Sequence, residues 1–215
     1  MHTKLSLFLV TALATTALTA RANATTTVDV AKGQGSNVST SFSATADITC
    51  PDGSAGNVFA IGFLTGSESI QKNTGSPRTM SDGVFVEVDE YFNSCTNVFA
   101  SGTGGIPNGF VPPNKNLISA RLVGSTTFQD FGSGLTIPVS MNLMISGSGP
   151  LTASKDNTVS HGSGPITVTV SHSASSSREG TVTGTLSIGG VELDATFSGT
   201  SMFSSSSTTI TIEKN

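Results

Sequence analysis

The sequence predicts an all-β protein, an antiparallel β-sandwich of jelly-roll type with one disulfide. Three observations indicate this fold class. Apolar and polar residues alternate at period two in many short runs, which is typical of half-buried strands. Clusters of Gly, Pro, Asn and Asp separate these runs at intervals of about ten residues, as in sandwiches. After residue 24 the apolar spacing of an amphipathic helix does not occur.

The first segment has the pattern of a secretory signal peptide. Lys4 precedes the uncharged run 5–20, and Ala-Asn-Ala at 22–24 supplies the small residues that signal peptidase requires. The alternative, a membrane anchor, needs about 20 strongly apolar residues, and this run is shorter and rich in Ala and Thr. We therefore expect a signal peptide over 1–24 and a single secreted, periplasmic or cell-surface β domain over 25–215, with no membrane span once the signal is removed.

Charge limits the class of partner. Without the signal peptide, fourteen acidic residues face eight basic ones, a formal net charge of −6. Binding to nucleic acid depends on many Lys and Arg that neutralise phosphates. We therefore expect no nucleic-acid partner, and self-association or a surface glycan or protein partner instead.

Turn and loop signals along the chain delimit the predicted strands. Gly189-Gly190, between two alternating runs, predicts a two-residue hairpin turn. The Gly- and Pro-rich segment 101–116 predicts a long loop. The predicted strands cover 38–48, 57–64, 84–89, 117–123, 135–145, 166–170, 182–188, 191–197 and 208–212.

Two other architectures compete with the sandwich, a β-barrel and a short solenoid. The segment 147–152 (Gly-Ser-Gly-Pro-Leu-Thr) returns as 162–167 (Gly-Ser-Gly-Pro-Ile-Thr). A solenoid needs at least three stacked repeats to bury a continuous core. The two copies fit better as two similar strand entries, each with a turn followed by Pro at the first strand position.

Cys50 and Cys95 are the only cysteines of the chain. In an exported protein a single pair most simply forms one disulfide. A redox or metal site is the alternative, but the pair lacks the CxxC spacing and a neighbouring His. We therefore predict a structural disulfide.

Carboxylates concentrate on one predicted strand and suggest a calcium site. Glu87 and Asp89, two residues apart, are expected on the same face of the strand, and Asp82 precedes it. Calcium takes oxygen ligands from carboxylates and carbonyls. The alternative is a solvated strand face that discourages edge-to-edge aggregation. No other cofactor is expected.

Catalytic signatures are scarce. His161 and His172 are the histidines that follow the predicted cleavage point, and no Ser lies in a Gly-x-Ser-x-Gly elbow. No catalytic residue is therefore assigned. We expect a non-catalytic structural, adhesion or binding module of the cell surface or extracellular matrix. The alternative is a secreted hydrolase of polysaccharide or peptide, which would need these histidines or the carboxylates at 82–90 to meet partners from distant strands.

Overall fold

The computed structural model describes residues 26–162 and 167–214, and the predicted signal peptide lies outside this range. All regular secondary structure in the described residues is β-strand, which confirms the all-β class. The nine strands are β1 (Thr26–Thr49), β2 (Ala55–Asn73), β3 (Thr79–Asn93), β4 (Val98–Pro107), β5 (Phe110–Val111), β6 (Ser119–Asp130), β7 (Thr136–His161), β8 (Thr167–Ile188) and β9 (Val191–Lys214).

All strands belong to one antiparallel sheet in the order β4-β3-β2-β1-β9-β8-β7-β6-β5. Most neighbours in the sheet are also neighbours in sequence, so hairpin turns supply most connections. The terminal strands β1 and β9 pair with each other along most of their length. A further pairing between β4 and β6 joins the two flanks of the sheet, so the pairings form a closed circuit.

Glycines permit this closure. The segment 101–116 was predicted as a loop, but its first part belongs to β4. A Cβ on Gly102 would collide with the backbone carbonyl of Gln129, and a Cβ on Gly104 would lie 2.6 Å from that of Thr127. Because both glycines lack side chains, β4 can approach β6 closely enough to pair with it. These glycines interrupt the apolar alternation, so the sequence pattern does not reveal β4. The same glycines let β4 pair with β6 and so join the two flanks of the sheet.

The strands divide into two regions. Strand β6 pairs with β7 only up to Ser146, and β4 pairs with β3 only from Gly83 onward. Past these points, six strands continue and pair mainly with one another. We call these continuing segments the extension and the remainder the body. The extension comprises residues 26–37, 67–73, 79–82, 150–161, 167–178 and 203–214.

The hydrophobic core lies in the body. Alternate residues of each strand point inward, and the predicted inward parity of 38–48 is confirmed at Val38, Phe42 and Ala44. None of the core residues lies in the extension. The largest fully buried side chains are Phe42, Phe128, Leu64, Leu117, Leu122, Leu143, Ile145, Leu186, Ile188, Met202, Val38 and Val58.

The predicted disulfide between Cys50 and Cys95 is confirmed. It ties the turn between β1 and β2 to the turn between β3 and β4, at the end of the body opposite the extension. Gly56 packs directly on the bridge, because a Cβ there would lie 2.5 Å from the sulfur of Cys95.

The predicted hairpin at Gly189-Gly190 is also confirmed, since Ile188 pairs with Val191. Both glycines have positive φ, 67° and 82°. The side chain of Tyr91 packs beneath the turn, and a Cβ on Gly189 would collide with its hydroxyl. Gly190 faces open space, so its requirement for glycine is purely conformational.

Candidate functional site

The extension is the candidate site, because it presents two broad sheet faces to solvent. Residues that are directly opposite on neighbouring antiparallel strands lie on the same face. Val38 and Met202 are such a pair, and both are buried in the core. The face of the extension that continues from them is called the inner face, and the other is called the outer face.

Polar side chains of the inner face line a groove of about 610 Å³ beside the body. The loop at Pro112-Pro113 borders it on the body side. Lys115, Lys155 and Glu68 supply charges. Between these charges lie the amide of Gln34 and the hydroxyls of Ser36, Ser176, Ser204 and Ser206.

Farther from the body, the inner face carries an apolar patch, which we call the tip. In its first row Val30, Ile210 and Val170 follow one another across three strands. Its exposed members include Val159, 61% exposed, Val28, 49% exposed, and Ile212, 37% exposed. The complete tip consists of Val28, Val30, Val159, Val168, Val170, Ile210 and Ile212.

Charge separates the two faces of the extension. Lys32 and Lys72 lie directly opposite each other on the inner face, in the row behind the tip. Lys155 and Lys214 share this face by register, and its carboxylates within the extension are Glu68 and Asp82, which lie opposite each other. The outer face has the acidic residues Asp29, Asp156 and Glu213 and no basic residue.

Hydroxyl groups dominate the outer face. Ser154, Ser175 and Ser205 form one row across three strands, and the first two are hydrogen-bonded at 2.8 Å. A shallow groove of about 440 Å³ crosses this region, where Gly33 and Gly35 leave the sheet without side chains. Hydroxyls both donate and accept hydrogen bonds, so this face offers contacts to water or to other hydroxyl groups.

Of the two histidines, His161 lies beside the tip and His172 lies in the row behind it, level with Lys32. His161 and His172 are both exposed and share the inner face. The Nδ1 atom of His172 lies 2.6 Å from the Oδ1 atom of Asn157, a neutral partner. Neither has a hydrogen bond to a carboxylate among the described residues, so the arrangement does not form a catalytic dyad.

The calcium candidates are spread over two faces. Asp82 lies opposite Glu68, and Glu87 lies opposite Phe63 on the other face of β3. Asp89 is exposed where the pairing of β3 with β4 is interrupted. No three His, Cys, Asp or Glu side chains of the described chain are grouped so that they could hold a metal ion. Calcium binding at Asp82, Glu87 and Asp89 stays a prediction.

One buried carboxylate escaped sequence analysis. Asp130 is 8% exposed and binds the turn that follows β6. Its Oδ2 accepts hydrogen bonds of 2.6 Å from the hydroxyl and the backbone N–H of Ser133, and its Oδ1 accepts one from the N–H of Ser101. These bonds lower the pKa of Asp130 from 3.8 to about 2, the Ser133 hydroxyl contributing most. Every bond joins the residue to its own turn or to β4, so its role is structural.

The tip was also missed, although the sequence contains a signal for it. Three triplets place a polar residue between two β-branched apolar ones, at 28–30, 168–170 and 210–212. Each is too short to suggest a surface alone. Their alignment depends on the pairing of β8, β9 and β1, which single-strand patterns do not specify.

Comparisons with protein-family models, curated proteins and solved structures found no match for this chain. The described part of the chain contains no helix with the length and apolarity of a membrane crossing.

Proposed function

We propose that this chain is an exported, non-catalytic binding module of the cell surface or extracellular matrix. The observation that carries the proposal is the groove on the inner face of the extension. It is open, and paired strands form most of it, with the loop at Pro112-Pro113 along one side. Such a groove suits an extended polar chain, since the ligand can lie across several strands at once.

The groove chemistry favours a polysaccharide. Gln34 and the serine hydroxyls offer donors and acceptors at close intervals, which matches the mixed donors and acceptors of sugar hydroxyls. The adjacent strands are about 4.8 Å apart, so consecutive rows can contact successive parts of an extended polymer. Lys115 and Lys155 at the margins add affinity for acidic sugars.

Co-sedimentation with insoluble polysaccharides, followed by calorimetry with soluble fragments, tests the proposal. The double variant S176L/S204L fills the groove with apolar side chains and should abolish binding. The control S43L places the same change on an exposed position of the body. Binding that survives S176L/S204L, or that S43L abolishes equally, would contradict the assignment of the groove.

A further inference from the structure

The tip and the charges behind it define a second surface on the inner face, farther from the body than the groove, and Lys155 borders both. The seven aliphatic side chains of the tip are contiguous because they pair in register across four strands. The strands that carry them contact chiefly their neighbours in the sheet, so the described chain provides no cover for this face. A contiguous exposed apolar patch on a protein surface indicates an interaction site.

The charges identify the partner. The inner face presents Lys32, Lys72 and Lys155 behind the tip and Lys214 at the strand end. Five basic residues of the extension (Lys32, Lys72, Lys155, Arg178 and Lys214) lie on the inner face with two carboxylates (Glu68 and Asp82), so this face has a positive formal charge although the whole chain is acidic. Apolar side chains bordered by Lys match the boundary between acyl chains and anionic headgroups. The long Lys side chains can reach the headgroups while their methylenes stay beside the apolar residues.

We propose that the tip and the row of lysines behind it dock on the surface of an anionic lipid bilayer, with the tip inserted at the headgroup boundary. A second copy of the chain fits this face less well, because face-to-face packing would bring Lys32 and Lys72 near the same residues of the other copy. Like charges facing each other oppose association.

The test uses the purified, oxidised protein and vesicles of two compositions, phosphatidylcholine alone and phosphatidylcholine with phosphatidylglycerol. Flotation at physiological salt should recover protein with the anionic vesicles and not with the neutral ones. V28S/I212S should weaken binding by more than about tenfold, because two aliphatic side chains no longer enter the bilayer. K32Q/K72Q should weaken it about 25-fold, at about fivefold per Lys.

Matched control variants distinguish binding through the tip from nonspecific binding to vesicles. V111S/I118S removes two aliphatic side chains that are 49% and 52% exposed on the body, and R121Q removes one charge there. Both should bind like the unmodified protein, and thermal melting should show all four variants folded. Equal recovery with both vesicle types, no recovery with either, or equal loss in the controls would overturn the proposal. A dimer in light scattering that V28S/I212S dissociates without lipid would overturn it in favour of a second copy.

Discussion

Strand β7 passes through both regions of the molecule, and its two halves differ in burial and in pairing, since β6 pairs only with the first half. In the body, residues 137–145 alternate strictly between buried apolar side chains and exposed side chains. In the extension, residues 150–161 are exposed at every position. The first half contributes to the core, and the second half contributes surface. One strand can therefore supply stability at one end and a binding face at the other, because burial rather than pairing decides stability.

The comparison predicts that equal substitutions have unequal costs along β7. Leu143 is fully buried, whereas Leu151 is 42% exposed. Leu143→Ala should lower the free energy of unfolding by about 2 to 5 kcal/mol, since it leaves a cavity. Leu151→Ala should change it by less than about 0.5 kcal/mol. Urea denaturation measures both, and similar losses at the two sites would break the distinction between body and extension.

The disulfide should stabilise the body by lowering the conformational entropy of the unfolded chain. Replacing Cys50 and Cys95 together by Ser opens a loop with a sequence separation of 45 residues. The entropic model predicts a loss of about 3 to 4 kcal/mol. Thermal melting with and without reductant provides the control, because only the parent protein should respond to the reductant. An unchanged melting temperature would refute the structural role.

The two glycines of the hairpin between β8 and β9 are required for different reasons, Gly190 for its backbone conformation and Gly189 also for packing against Tyr91. Gly190→Val should cost about 1 to 2 kcal/mol, because a β-branched residue resists positive φ. Gly189→Val should cost more, since its side chain also meets Tyr91. Melting temperatures of the two variants test the ranking, and equal losses would show that Tyr91 adds no constraint.

Asp130 makes the stability of the body depend on pH in the acidic range. Its pKa is depressed to about 2 in the folded protein, so its ionised form stabilises the fold above the unfolded pKa of about 4. This contribution should be lost as the pH falls from about 4 toward 2. Asp130→Asn should therefore melt below the parent protein at pH 7, and the gap should narrow toward pH 2. A gap that is independent of pH would indicate that the charge does not matter.

The difference between the regions also explains what could be predicted from the sequence. Apolar alternation located most body strands, the single cysteine pair predicted the disulfide, and Gly189-Gly190 between two alternating runs predicted the hairpin. It underestimated the strand lengths, because the Ser-rich part of β9 around 203–207 has no apolar period. It missed β4, whose glycines act through close approach to β6. The groove and the tip depend on pairing between distant segments, and local patterns do not encode that register.

Hydrogen exchange measured by mass spectrometry tests the central claim most directly. We expect strong protection of 137–145 in the body and weak protection of 150–161 in the extension, because burial accompanies high local stability. Adding anionic vesicles should raise protection at 28–30, 168–170 and 210–212 and leave the body unchanged. Uniform protection along β7, together with no response of the tip to lipid, would contradict the account of a stable body that carries an exposed binding sheet.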